Sequence, residues 1–115
     1  MRPLEISSRE NQGVTIVDCK GLIVSGVSET IVPDALRDLV AKNKKLAMNF
    51  RGIYAIDKVG IGQLAAGLMI VEGCGGKVVF FNLNQRIKDA VTNVPFDQAF
   101  RICNDEAEAV KSFAV

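Results

Sequence analysis

Hydrophobic and polar positions change period along the chain, and the changes mark out its elements. Glu5 to Arg9 and Val14 to Lys20 read as two strands split by Asn11-Gln12-Gly13, a strong hairpin-turn signal. In the second strand Val14, Ile16 and Asp18 alternate with Thr15, Val17 and Cys19, so both faces are expected to be largely covered. Gly21 punctuates this run. Leu22-Ile23-Val24 is a short third strand or its continuation, and Ser25-Gly26-Val27-Ser28 is loop. The period then moves to that of a helix. Pro33 belongs in a first helical turn, where its missing N–H costs nothing. Leu36, Leu39 and Val40 follow as an inward stripe, with Asp34, Arg37, Asp38 and Lys42 outward, and Asn43-Lys44-Lys45 closes the helix.

Leu46 to Phe50 reads as a short strand, and Ile53 to Ile56 leads to Asp57, whose carboxylate suits a helix N-cap. Ile61, Leu64, Ala65, Leu68 and Met69 then make one buried helical face. Gly73-Cys74-Gly75-Gly76 stops that helix, and Lys77 to Leu83 is an apolar strand. Asn84 caps a helix with Ile87 and Val91 inward, Pro95 ends it, and Ala99 to Cys103 is a last strand. Asn104 to Phe113 forms the final helix, with Asn104 at the cap and Asp105 and Glu106 complementing the dipole. Strands first, then strands alternating with helices, predict a single α/β domain over residues 1–115. Its mixed sheet should have about four to five strands with about four helices, the alternating part parallel with right-handed crossovers.

Composition narrows the chemistry. The chain has 115 residues, 49% hydrophobic, enough to form a core without a metal or disulfide staple. It contains no histidine, which removes Ser-His-Asp and Cys-His nucleophilic sites and His-ligated zinc. A net charge of +1 leaves no strong field for phosphate backbones or anionic lipid, so no nucleic-acid partner is expected. Cys19, Cys74 and Cys103 form no C-x-x-C and suit a reducing compartment. The start lacks the apolar stretch of a signal peptide. The longest apolar run, Leu64 to Val71, is far below the ~20 residues that cross a bilayer. A cytoplasmic protein without cofactor, metal or membrane insertion is expected.

The run Leu46-Ala47-Met48-Asn49-Phe50-Arg51-Gly52-Ile53-Tyr54-Ala55-Ile56-Asp57-Lys58-Val59-Gly60-Ile61-Gly62 resembles the signature of STAS domains, the bacterial anti-sigma factor antagonists and their relatives. In that family an apolar strand and short loop lead to I-D-S-S-G-L-G, which opens a helix. The segments Val14 to Leu22, Ala35 to Val40, Gly75 to Leu83, Arg86 to Val91 and Asp105 to Ala109 resemble the family's other elements in order. The resemblance implies partner switching. The unphosphorylated domain binds an anti-sigma factor that is also a serine kinase, and phosphorylation of the serine after the aspartate breaks the complex.

At that serine this chain has Lys58, and Val59 stands at the next. No Ser, Thr or Tyr lies between Ala55 and Gly76, so the phosphorylation site is degenerate and no phosphate is expected there. A phosphoserine would bring about −1.5 to −2 charges to a helix N-terminus. A lysine at the same end is unfavourable by ~0.3–1 kcal/mol. Lys58 therefore either meets an acidic partner surface or anion, or is a solvated lysine in a relative whose switch has lapsed. Gly60 and Gly62 either cradle an anion or simply let the turn pack closely.

Between Gln63 and Glu72 the helix carries no polar side chain, and Ala66, Gly67, Ile70 and Val71 form a second apolar face. A further layer, a docked partner or a second copy of the chain would cover it. The expected function is a non-enzymatic, protein-binding regulator of transcription resembling an anti-sigma factor antagonist. Its binding residues would be Asp57, Lys58, Val59, Gly60, Ile61 and Gly62, with the loop after Gly21, and its partner of anti-sigma factor or serine-kinase type. No catalytic residue is assigned. A homodimer through helix 61–72, an accessory STAS subunit of a membrane transporter, and a small ligand-binding or enzymatic domain with a pocket near Asp57 are the alternatives.

Overall fold

A computed structural model describes residues 3–26, 30–92 and 100–114. The expectations placed on Val27-Ser28, Pro95 and Ala99 fall outside them. The chain runs β1 (Leu4–Asn11), β2 (Val14–Ile23), α1 (Ile31–Val40), β3 (Lys45–Ile56), α2 (Lys58–Gly73), β4 (Lys77–Phe81), α3 (Gln85–Thr92), β5 (Ile102–Cys103) and α4 (Glu106–Lys111). The described strands form one sheet in the order β1-β2-β3-β4-β5. β1 and β2 are antiparallel, and every later pairing is parallel. This is the mixed α/β sheet that the pattern predicts.

The hairpin forms because Gln12 and Gly13 both take positive φ, 52° and 82°, the turn whose twist matches flanking strands. β2 continues through Leu22 and Ile23, so these residues are not a separate strand. β3 is likewise one twelve-residue strand, not a short strand and a lead-in. The Arg51-Gly52 step that reads as a break is absorbed by a register shift against β2 between Asp18 and Lys20. β4 ends two residues earlier than its apolar run, because Asn82 turns to φ 60° and donates from Nδ2 to Asn49 Oδ1 at 3.1 Å. The last strand keeps only Ile102 and Cys103. Its helix is capped by Asp105, not Asn104: Asp105 Oδ1 accepts from the Glu108 N–H at 2.9 Å, and the helix ends before Phe113.

The sheet separates two cores. On one side Leu36 and Val40 of α1, Ile61, Leu64, Leu68 and Val71 of α2, and Ile87 and Val91 of α3 pack with Val17, Met48, Phe50 and Phe80. Phe80 meets Phe50 and Phe100 edge-on, with centroids 5.6 and 5.5 Å apart. On the other side Ala109 and Val110 of α4, with Phe113, cover Val14, Ile16, Ala47, Val79 and Phe81. Cys19 lies in the first core, where burial pushes its thiol up to about 12, so it is an inert apolar filler.

A charged cluster ties the second side to the hairpin. Arg9 donates to Asp18 (Nε to Oδ2, 2.8 Å) and to Glu106 (Nη2 to Oε1, 2.6 Å), and Asn11 donates to Glu106 at 2.6 Å. Arg9, then Asn11, hold the Glu106 carboxyl below its usual range. Such a group stabilises the fold above the unfolded carboxylate pKa, about 4.3, and the contribution disappears as pH falls through the folded value. Glu106→Gln should therefore be less stable than the natural chain at pH 7, and the two urea midpoints should converge on acidification below about pH 4.

Gly60 sets the closest approach between helix and sheet. A Cβ there would lie 1.8 Å from the Ile23 carbonyl oxygen, a backbone atom that cannot swing away. Gly60→Ala should cost more than the ~1–3 kcal/mol usual for overpacking, read as a lowered urea midpoint.

Candidate functional site

The parallel strands β2 and β3 end side by side, with Ile23 paired to Ile56, and the chain turns at each end. Asp57 follows β3 in extended conformation (φ −119°, ψ −176°), the backbone an N-cap requires. Its Oδ1 accepts from the Gly60 N–H at 2.8 Å, and the Ile61 N–H returns to the Asp57 carbonyl at 2.9 Å. The cap expected from sequence is present. The same carboxylate does a second task that sequence does not reveal: Oδ2 accepts from the Ser25 N–H at 2.9 Å. One side chain thus fastens the turn after β2 to the start of α2. The Ser25 N–H first, and the Gly60 N–H second, hold the Asp57 carboxyl below its ordinary value. It is ionised at neutral pH.

The remaining expected residues divide by exposure. Gly60 and Ile61 are buried under the turn, and Lys58, Val59 and Gly62 face outward, Val59 at 51%. Gly62 has open space around it, so nothing at that position demands a glycine for packing. Asp57, Lys58, Val59 and Gly62 therefore share a surface with Ser25 and Gly26, while Ile61 supports it from below.

The face assignment of α2 needs correcting at three positions. Met69, placed inward by the sequence pattern, is 72% exposed. Gly67 and Val71, placed on the second face, are buried, Gly67 against Leu36 of α1. The cause is that α2 is apolar all round, so spacing alone does not select its buried side. Its solvent side is the row Val59, Gly62, Ala66, Met69 and Gly73, at i, i+3, i+7, i+10 and i+14, with Ile70 half-buried beside it. No charge interrupts this row between Lys58 and Glu72. Tyr54, 64% exposed near the end of β3, was not singled out by the sequence pattern.

The two clefts described lie elsewhere. One runs between β1 and α1, the other between the hairpin turn and α4, and neither is lined by Asp57. Among the described residues no group of His, Cys, Asp or Glu is arranged to hold a metal ion. Among them, too, no helix is long and apolar enough to cross a membrane.

A STAS domain family model matches residues 5–109. No curated protein matches the chain significantly. Among solved structures, an anti-sigma factor antagonist from Mycobacterium paratuberculosis superposes with TM-score 0.79 at 16% identity, over 95% of this chain and 92% of that one. The Bacillus cell fate determinant SpoIIAA in its phosphorylated form gives 0.65 at 12%, over 94% and 98%. The murine Slc26a9 anion transporter gives 0.73 at 21%, over 89% of this chain but only 18% of the transporter. At these identities the likeness is one of fold. The family match spans both the sheet and the Asp57 turn, and the chain belongs to the STAS domain family.

Proposed function

We propose that this chain is a non-enzymatic, cytoplasmic regulator that acts by binding a protein through the surface built on Asp57. The partner is of the anti-sigma factor or serine-kinase type, as the anti-sigma factor antagonist fold of its neighbours supports. One observation carries the reading. The Asp57 carboxylate joins the Ser25 turn to the α2 start, and that joint runs without a break into the uncharged row Val59, Gly62, Ala66 and Met69. A fixed polar turn beside an exposed apolar row is a surface suited to docking, with the apolar row as its core and the charged ends as its rim. Asp57 orients the turn, Lys58 supplies a charged rim contact, and Gly62 lets a partner backbone approach. A carboxylate held ionised at the surface by backbone N–H groups suits this role better than pocket chemistry.

Regulation departs from a phosphorylated relative such as SpoIIAA. With Lys58 and Val59 in place of the family's serines, the α2 N-terminus carries a permanent positive charge and no hydroxyl to modify. Binding is then governed by which partner is present. Slc26a9 favours a second reading, an accessory STAS subunit of a transporter, because a domain of this fold occurs there within a much longer chain. A second copy docked on α2 is a third occupant of the same row.

Affinity capture from the native cell separates these readings. The natural chain should retain an anti-sigma or kinase-type protein, and Met69→Glu should lose about tenfold or more of it by placing a charge in the buried core of the interface. Lys58→Asp should weaken capture if the partner's facing surface is acidic. Recovery of transporter subunits instead would favour the second reading, and equal recovery by Met69→Glu would remove α2 from the site. Mass spectrometry of the protein from its own cell should find no phosphate between Tyr54 and Leu64; a phosphate there would restore the covalent switch.

A further inference from the structure

Strand β1 lies at the edge of the sheet, and no described element pairs with its outer side. The tight turn fixes which of its backbone groups are free. Asn11 and Val14 close the hairpin, so Asn11, Arg9, Ser7 and Glu5 direct their N–H and C=O groups at β2. The bond from the Leu22 N–H to the Pro3 carbonyl, 2.8 Å, continues the same alternation. Leu4, Ile6, Ser8 and Glu10 therefore direct theirs away from the sheet. Folded proteins usually spoil such an edge with a bulge, a proline or a lysine. Over Leu4–Asn11 β1 has no bulge, proline or lysine; its charged residues are Glu5, Arg9 and Glu10, and its pairing with β2 runs through all eight residues without a shift.

The sequence of this edge is complementary to itself. A second β1 running antiparallel has to match outward residues with outward residues, which leaves every other register. The register centred on Ser7 overlaps Leu4 to Glu10. It sets Glu5 opposite Arg9 of the second copy on both sides of the axis. Centring on Ile6 or Ser8 instead sets Glu5 against Ser7 or Asn11, with no opposed charges. Within each copy Glu5 faces Lys20 and Arg9 is held by Asp18, so charges would alternate in sign across the joined strands. Ser7 meets its own copy at the axis, where a small side chain permits the close spacing of a non-hydrogen-bonded pair.

The other face of β1 completes the fit. Between β1 and α1 runs an open cleft of about 780 Å³, lined by Leu4, Ile6, Ile31, Ala35 and Leu39, with Ile31 41% exposed. In the Ser7 register, Ile6 of the second copy stands opposite Ser8 and diagonal to Ile6, on the side of this cleft. From the free edge, the self-complementary charges and the cleft together, we infer that β1 is a self-association edge. Two copies join β1 to β1 about Ser7 into one continuous sheet, and the α2 surface stays free for another partner.

Sedimentation of the whole chain over a range of concentrations should show a monomer–dimer equilibrium. Ser8→Pro removes an outward N–H and leaves the β1–β2 ladder intact, so it should raise the dimer dissociation constant about tenfold or more while the chain still unfolds cooperatively. Cysteine cross-linking checks the register without relying on that variant. With exposed Cys74 replaced by serine, Ser7→Cys should form an intermolecular disulfide on mild oxidation, because the paired Cα atoms would lie ~4.5 Å apart. Ser8→Cys should not, since its two copies would stand beyond the ~7 Å limit. A monomer at every concentration, equal cross-linking at both positions, or a dimer dissolved by Met69→Glu but untouched by Ser8→Pro would each overturn the inference.

Discussion

The contact on which the rest of this structure depends is the seat of α2 against the end of β2. The Ile23 carbonyl oxygen lies where a side chain at residue 60 would begin, so a glycine is the only residue that lets helix and strand meet there. Once they meet, the Asp57 carboxylate that caps the helix locally also reaches the Ser25 N–H with its other oxygen. A single carboxylate then satisfies donors from two turns that the chain separates by more than thirty residues. Cap, turn and strand end are one unit, and Lys58, Val59 and Gly62 take their places at the surface because of it.

The two sides of the sheet carry different burdens. Three helices bury the larger core, and much of the stability must come from that side. The short α4 covers only part of the other, and a chain of polar contacts takes over where it stops. Arg9 joins Asp18 to Glu106, Asn49 donates to Asp18 at 2.8 Å, and Asn82 donates to Asn49 at 3.1 Å. Exposed ion pairs contribute little singly, yet here they link the edge hairpin to α4 and to the turn after β4. The hairpin is thereby held firmly on its inner side, while no described element pairs with its outer side.

Features encoded by neighbouring residues were legible in the sequence. The Gln12-Gly13 turn, the α1 stripe and the caps at Asp57 and Asn84 each follow from a few adjacent side chains, and the structure contains them all. Features decided by contacts distant in sequence were not. Arg51-Gly52 reads as a break because the residues that carry the strand through it are on β2. The orientation of α2 was lost for the opposite reason, an excess of apolar residues that leaves no periodic contrast between Met69 and Val71. At α4 two neighbouring residues can both cap, and geometry chose Asp105 over Asn104. For the candidate site, Asp57 was recognisable from its motif, whereas its bond to Ser25 and the exposure of Tyr54 depend on how separate strands end.

Charge at the α2 N-terminus connects the fold to the proposed role. SpoIIAA, similar in fold, is known in a phosphorylated form, and a phosphate at a helix N-terminus adds about −1.5 to −2 charges. Here α2 begins with Lys58 beside the positive end of the helix dipole, with no acidic residue in the first helical turn; the N-cap carboxylate of Asp57 is the negative charge that offsets it. The ionised Asp57 sits next to Lys58 and offsets its charge at short range, so the two form a polar, near-neutral pair at this corner. On the proposed reading, discrimination between partners rests on two features, the Asp57–Lys58 corner and an uncharged row along α2. With no hydroxyl at Lys58 or Val59, control over this surface acts, on the proposed reading, through the supply of partners, through Ser25 beside Asp57, or through another face of the domain.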